Sequence, residues 1–167
     1  MAETGKTAPT QNVRHLDKNN LFLCLDTLRA GDAAGRILNA YWPEEIPFNS
    51  LAEMLLKADA LCSSLHSPQS FMELRREERP TRRRAAVGER PYVTNTEAPC
   101  CFSLDQLRDR FGQGPVVALT IRFRCNATWQ GEATLLRRGV QPQSFRSALE
   151  LLSILDGWLQ AMGAQAE

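Results

Sequence analysis

The chain has 167 residues, 43% of them hydrophobic and 23% charged, with a formal net charge of +1 at pH 7. That length serves one domain or two small intimate halves and is enough to bury a real core. The near-zero net charge excludes a global bias toward nucleic acid or a membrane surface, and no run approaches the roughly 18 apolar residues of a membrane span.

Residues 1–18 are polar and without periodicity and read as a disordered tail. Met1 to Gln11 contains no apolar stretch of the kind a secretory signal needs, so the expected location is cytoplasmic, without a membrane partner. Leu21 to Leu28 reads as a strand, Arg29 to Ala34 as a loop built on Gly31 and Asp32, and Gly35 to Trp42 as a second strand stopped by Pro43. Ile46 to Phe48 adds a short third strand.

A helix follows. Ser50 is placed as its N-cap and Glu53, three residues on, as the partner in a capping box. Leu51, Leu55, Ala58, Cys62 and Leu65 recur at helical spacing, flanked by Met54 and Leu61. Ser67-Pro68 closes that helix, and a short second one is expected over Gln69 to Glu78, packed through Phe71, Met72 and Leu74. From Arg75 to Arg90 there are seven arginines against three glutamates, a local +4 that leaves −3 for the rest of the chain. With Pro80, Gly88 and no periodicity, this stretch reads as a linker.

Ser103 and Gln106 form another capping signature, opening a short helix from Leu104 to Phe111 with Gly112 at its C-terminal end. Val116 to Arg124 alternates from Leu119, with Leu119, Ile121 and Phe123 on one face and Thr120, Arg122 and Arg124 on the other. Thr128 to Leu136 pairs with it, Arg138-Gly139 turns the chain, and Val140 to Gln143 returns as a short strand. Ser147 and Glu150 cap a last helix whose apolar face is Phe145, Leu149, Leu152, Leu155, Leu159 and Met162.

The second half thus repeats the first. Phe48, Ser50, Glu53, Leu55 and Asp59 recur in register as Phe145, Ser147, Glu150, Leu152 and Asp156, and Gly35 has its counterpart in Gly131. The expected architecture is α+β: a tandem duplicated strand–strand–(short strand)–helix unit, forming an antiparallel sheet with two amphipathic helices packed on one face. Its parts are a tail (1–18), a first repeat (19–74), an Arg-rich linker (75–102), a short helix and turn (103–115) and a second repeat (116–163). They make a single compact domain with pseudo-two-fold symmetry.

Asn126-x-Thr-Trp-Gln-Gly131 and Phe145-Arg-Ser-Ala-Leu-Glu-Leu151 resemble a family of small uncharacterised bacterial proteins. The second half of those proteins carries a similar N-x-T-W-Q-G strand and F-R-S-x-L-E-L helix. Gly35-Arg36, Phe48-Asn-Ser-Leu51 and Pro68-Gln-Ser-Phe-Met-Glu73 are similar to their first half. The resemblance spans most of 20–74 and 117–160 and bears on architecture rather than chemistry, because no activity is established for that family.

Chemistry is sparse. Five cysteines, Cys24, Cys62, Cys100, Cys101 and Cys125, with no C-x-x-C, fit a reducing compartment. Cys24, Cys62 and Cys125 sit on apolar patterns as small core residues. With only His15 and His66 beside them, neither a metal nor a cofactor is expected. The sequon at Asn126 carries no weight in a chain read as cytoplasmic. Glu53 and Glu150 are explained by capping, Asp59 and Asp156 by a solvated helix flank, and no catalytic residue is assigned. Trp129 reads first as a cross-strand packing anchor beside Gly131, which allows a bulge or close packing, and second as part of an exposed face with Arg122 and Arg124.

The candidate partner-binding residues are therefore Arg75, Arg76, Arg79, Arg82, Arg83 and Arg84 in the linker, with Arg122, Arg124 and Trp129 on the sheet. The expected function is a non-enzymatic protein-binding or regulatory module of a bacterium or its mobile elements, with a homodimer allowed. The alternatives are an inhibitor of a bacterial defence nuclease and nucleic-acid binding through the Arg-rich linker.

Overall fold

A computed structural model describes residues 16–68, 70–71, 99–125 and 128–163. The Arg-rich run 75–90, and with it Arg75, Arg76, Arg79, Arg82, Arg83 and Arg84, lies outside the described residues.

The fold is α+β. Three strands, β1 (Asn20–Arg29), β2 (Asp32–Asn39) and β3 (Trp42–Phe48), precede helix α1 (Leu51–Ser64). A two-residue strand β4 (Ser70–Phe71) follows, then α2 (Leu104–Asp109). The chain ends in β5 (Val116–Cys125), β6 (Thr128–Leu135), β7 (Gln143–Phe145) and α3 (Ala148–Gly163). The strand order is β3-β2-β1-β5-β6-β7, antiparallel throughout, so β1 and β5 meet at the seam. β4 lies parallel to β5. The order strand, strand, strand, helix occurs in both halves.

Several boundaries differ from the sequence expectation. The β1–β2 turn is only Ala30-Gly31, with Gly31 at φ +72, so β2 begins at Asp32 rather than Gly35. Pro43 lies inside β3, not at its border. β3 is an edge strand, and an edge tolerates the missing N–H of Pro43 and Pro47 because only one side of the strand has to bond. The helix expected over Gln69 to Glu78 is replaced at Ser70–Phe71 by β4, where the chain bonds β5 instead. The rest of that stretch lies outside the described residues. Lys18 and Leu16, placed in the tail, are tied down: the Asn39 side chain donates to the Lys18 carbonyl and the Tyr41 hydroxyl to that of Leu16.

Both long helices pack on one face of the sheet. Leu51, Met54, Ala58, Leu61, Cys62 and Leu65 from α1 meet Leu151, Leu155 and Leu159 from α3 in a single core. Its floor includes Leu21, Leu23, Ile37, Val117, Leu119 and Ile121. The α3 stripe is rotated from the expected one: Leu149 is 73% exposed and Leu151 takes its place in the core. Burial of this apolar surface is the main stabilising term of the fold.

The register also shifts at an equivalent place in β1 and in β5, besides a shift between β2 and β3 at Ile37/Asn39. Leu25 pairs with Gly35 and Thr27 with Ala34, which leaves Asp26 as the extra residue of β1. Ile121 pairs with Gly131 and Phe123 with Gln130, which leaves Arg122 as the extra residue of β5. Gly35 and Gly131 lie across from Phe48 and Phe145 on their outer neighbours. A Cβ on Gly35 would sit 1.9 Å from the Cys24 carbonyl oxygen, and one on Gly131 2.0 Å from that of Thr120. Only glycine allows the strands to approach this closely at the bulges.

Candidate functional site

The β5 bulge decides which residues can meet a partner. Side chains alternate across a strand, so one extra residue exchanges the faces of everything beyond it. Ile121 points to the helices as expected, but after Arg122 the order is inverted: Phe123 is 38% exposed and Arg124 is 1% exposed. The expected exposed trio of Arg122, Arg124 and Trp129 is therefore not assembled. Trp129, 4% exposed, is part of the helix-side core, in keeping with its role as a packing anchor. Arg122 alone stays at the surface, 3.4 Å from Glu132 on β6.

Arg124 is a clamp on the end of α1. Its Nη1 donates to the Asp59 carboxylate at 2.6 Å, to the Asp59 carbonyl at 2.9 Å and to Ser63 Oγ at 3.2 Å. Nε and Nη2 both donate to the Pro68 carbonyl, at 3.1 and 2.9 Å. The guanidinium thus ties α1 and the chain just after it to β5 and has no surface left for a ligand. Asp59 and Asp156 have separate partners: Asp156 accepts from the Gln160 side chain and lies beside Gly31.

The opposite face of the sheet is only partly solvent-exposed. Phe22, Cys24, Leu38, Ala40 and Val116 form a second, smaller apolar cluster there, closed by Leu107 of α2. Phe102, Leu104 and Phe111 pack around its edge. Phe22 and Phe111 rings lie 5.2 Å apart, tilted by 38°. The unbroken apolar run of β1 carried the signal for this second cluster, since a strand buried on one side only would alternate.

An ionic network fastens α2 and its flanks over that cluster. Arg36 on β2 bonds Asp26 at 2.8 Å and Glu45 of β3 at 2.8 Å, and its two Nη atoms donate to the Arg110 and Phe111 carbonyls. Arg110 reaches Glu45 at 3.2 Å and lies over the Phe102 ring at 4.6 Å. The hydrogen bond from Arg36 holds the Glu45 carboxyl below its ordinary value, and the same bonds to Asp26 and Glu45 push the Arg36 guanidinium higher still. Beneath the network, burial pushes the Cys24 thiol up to about 11.

Beside α2 lies a groove of about 720 Å³. Its floor is Phe22, Ala118, Leu104, Phe111 and Leu136, and its polar rim includes Ser103, Asp105 and Arg108. Leu136 at one end is 50% exposed. The groove's volume lies within the range of ligand clefts, and Asn20 and Thr120 add to its polar lining. No group of three or more His, Cys, Asp or Glu side chains among the described residues could hold a metal ion. No described helix is long and apolar enough to cross a membrane.

Comparison with protein-family models, with curated proteins and with solved structures finds no match to this chain.

Proposed function

We propose that the chain is a non-enzymatic protein-binding or regulatory module, working in the cytoplasm, that takes its partner in the groove beside α2. The observation that carries this reading is the groove itself: an apolar floor that the described residues leave open, with Leu136 half-exposed among its lining residues. Exposed apolar surface rimmed by polar residues marks interaction sites, because leaving it in water is costly. The resemblance to small bacterial proteins supports a bacterial or mobile-element setting. Arg124, considered for nucleic acid, is engaged within the fold by Asp59 and is withdrawn from any phosphate contact.

The test places a photo-crosslinking residue at position 136 and, as a control, at the more exposed position 149 on α3. Position 136 should give a defined protein adduct that position 149 does not. Leu136→Glu should weaken that partner by about tenfold or more, the equivalent of roughly 1.4 kcal/mol, with an unchanged melting temperature. A nucleic-acid adduct, or the same adduct from both positions, would contradict the reading. A captured nuclease that stops cutting when bound would narrow it to the inhibitor alternative.

A further inference from the structure

The cover formed by α2 and its flanks is attached unlike α1 and α3. Each long helix buries at least three side chains completely, whereas α2 buries one, Leu107. Phe102, Leu104 and Phe111 stay half-buried at the edge of the cluster they cover. Most of the remaining attachment is polar and near water: the side chains of Arg36, Asp26, Glu45 and Arg110 retain 24%, 39%, 33% and 26% exposure. Ion pairs of this kind contribute little and yield to salt. Both ends are defined. The Cys101 and Phe102 amides donate to the Ala40 carbonyl at one end, and Leu25 N bonds the Pro115 carbonyl at the other. Between Phe111 and Pro115 the chain passes Gly112, at φ +77, and then Gly114, which lies against the Leu25 backbone. A pivot is thus available next to the network, with β5 already fixed beyond it.

We propose that the segment 101–111 is a displaceable cover, which lifts about Gly112 as a unit and uncovers the apolar face of Phe22, Cys24, Leu38, Ala40 and Val116 while the helix-side core stays packed. Phe22 belongs both to this face and to the groove, so opening enlarges the groove into one continuous docking surface. α2 is then the intramolecular competitor for a partner that presents a short amphipathic helix with a basic residue for Glu45. That consequence rests on the protein-binding reading; the opening itself does not, and it is measured without a partner.

The two buried cysteines report on it. Cys24, 1% exposed, lies under the cover, and Cys62, 0% exposed, is on the inward face of α1 on the other side of the sheet. With Cys100, Cys101 and Cys125 changed to Ser in the full chain, the rate of reaction of each remaining thiol with a small disulfide reagent is followed by mass spectrometry under native conditions. Local opening makes Cys24 at least about tenfold faster than Cys62, since a sub-global opening needs less free energy than unfolding the core. Arg36→Gln should accelerate Cys24 further and leave Cys62 unchanged. Arg110→Gln, which alters only the cover side of the network, serves as the second variant should Arg36→Gln fail to fold. Equal rates for the two thiols would overturn the proposal, because both would then be exposed only by global unfolding. A Cys24 rate that neither variant changes would overturn it too, because the network would not be the fastening.

Discussion

A guanidinium that is 1% exposed must have its donors satisfied, and Arg124 does so largely with backbone carbonyls at the end of α1. Arg124→Ala would leave the Asp59 and Pro68 carbonyls without this partner and open a void against Cys62 and Trp129. The expected loss is on the order of 3 kcal/mol, read as a shift in denaturant midpoint, and a neutral result would show that water takes over the site. Gly131→Ala should cost at least about 2 kcal/mol, because its Cβ would meet the Thr120 carbonyl at 2.0 Å and the Phe145 ring at 2.8 Å, and backbone cannot yield cheaply. An unchanged melting temperature would mean that the bulge relaxes. Neither role was legible from the alternation of Val116 to Arg124. Alternation assumes two residues per repeat, and a bulge adds a residue without leaving a mark in polarity. Gly131 and Gly35 are the visible trace of it: a glycine beside Trp129 allows a bulge or close packing, and the structure puts a bulge there, but the glycine alone does not say which side chains change face.

At the scale of the element, the helix starts were well legible, because capping is a local interaction between residues three apart. Glu53 N donates to Ser50 Oγ at 3.1 Å and Glu150 N to Ser147 Oγ at 3.0 Å. The glutamates reach one residue further back than a capping box requires, to the amides of Asn49 and Arg146. Ser50→Ala and Ser147→Ala should each destabilise by roughly 0.5–2 kcal/mol, and unchanged denaturant midpoints in both would place the helix starts elsewhere. The short helix α2 was also legible, with the Ser103–Gln106 box closed in both directions. Its destination was not, since Arg36, Glu45 and Arg110 are far apart in sequence and nothing local joins them.

That network has a pH signature. Arg36 holds the Glu45 carboxyl below its ordinary 4.5, so its contribution is complete above that value and is lost as pH falls through the lower value of the folded state. Asp26, Arg36 and Arg110 face it, and the arginines stay charged throughout. The α2 cover should therefore loosen on acidification below about 4.5, seen as a lower protection factor at 102–111 after division by the intrinsic exchange rate at each pH. Glu45→Gln should abolish most of the pH dependence, and a profile identical to wild type would exclude Glu45 as its source.

For the whole molecule, the α+β class and the packing of two helices on one face followed from two helical stripes preceded by strands. The other face was left open in that reading, and the structure covers half of it. The apolar half, over β1 and β2, lies under α2, while the half over β5 and β6 carries Thr120, Arg122, Glu132 and Thr134, and the groove runs where they meet. The edges of the sheet are poor docking sites by comparison: β3 carries Pro43 and Pro47, and β7 is three residues long.

The central claim is that a protein partner is taken on the α2 face of the sheet. Amide hydrogen exchange of the chain with and without the crosslinked partner tests it most directly. The claim predicts new protection at 116–120 and 134–136, with α1 and α3 unchanged; protection confined to α1 and α3 would contradict it.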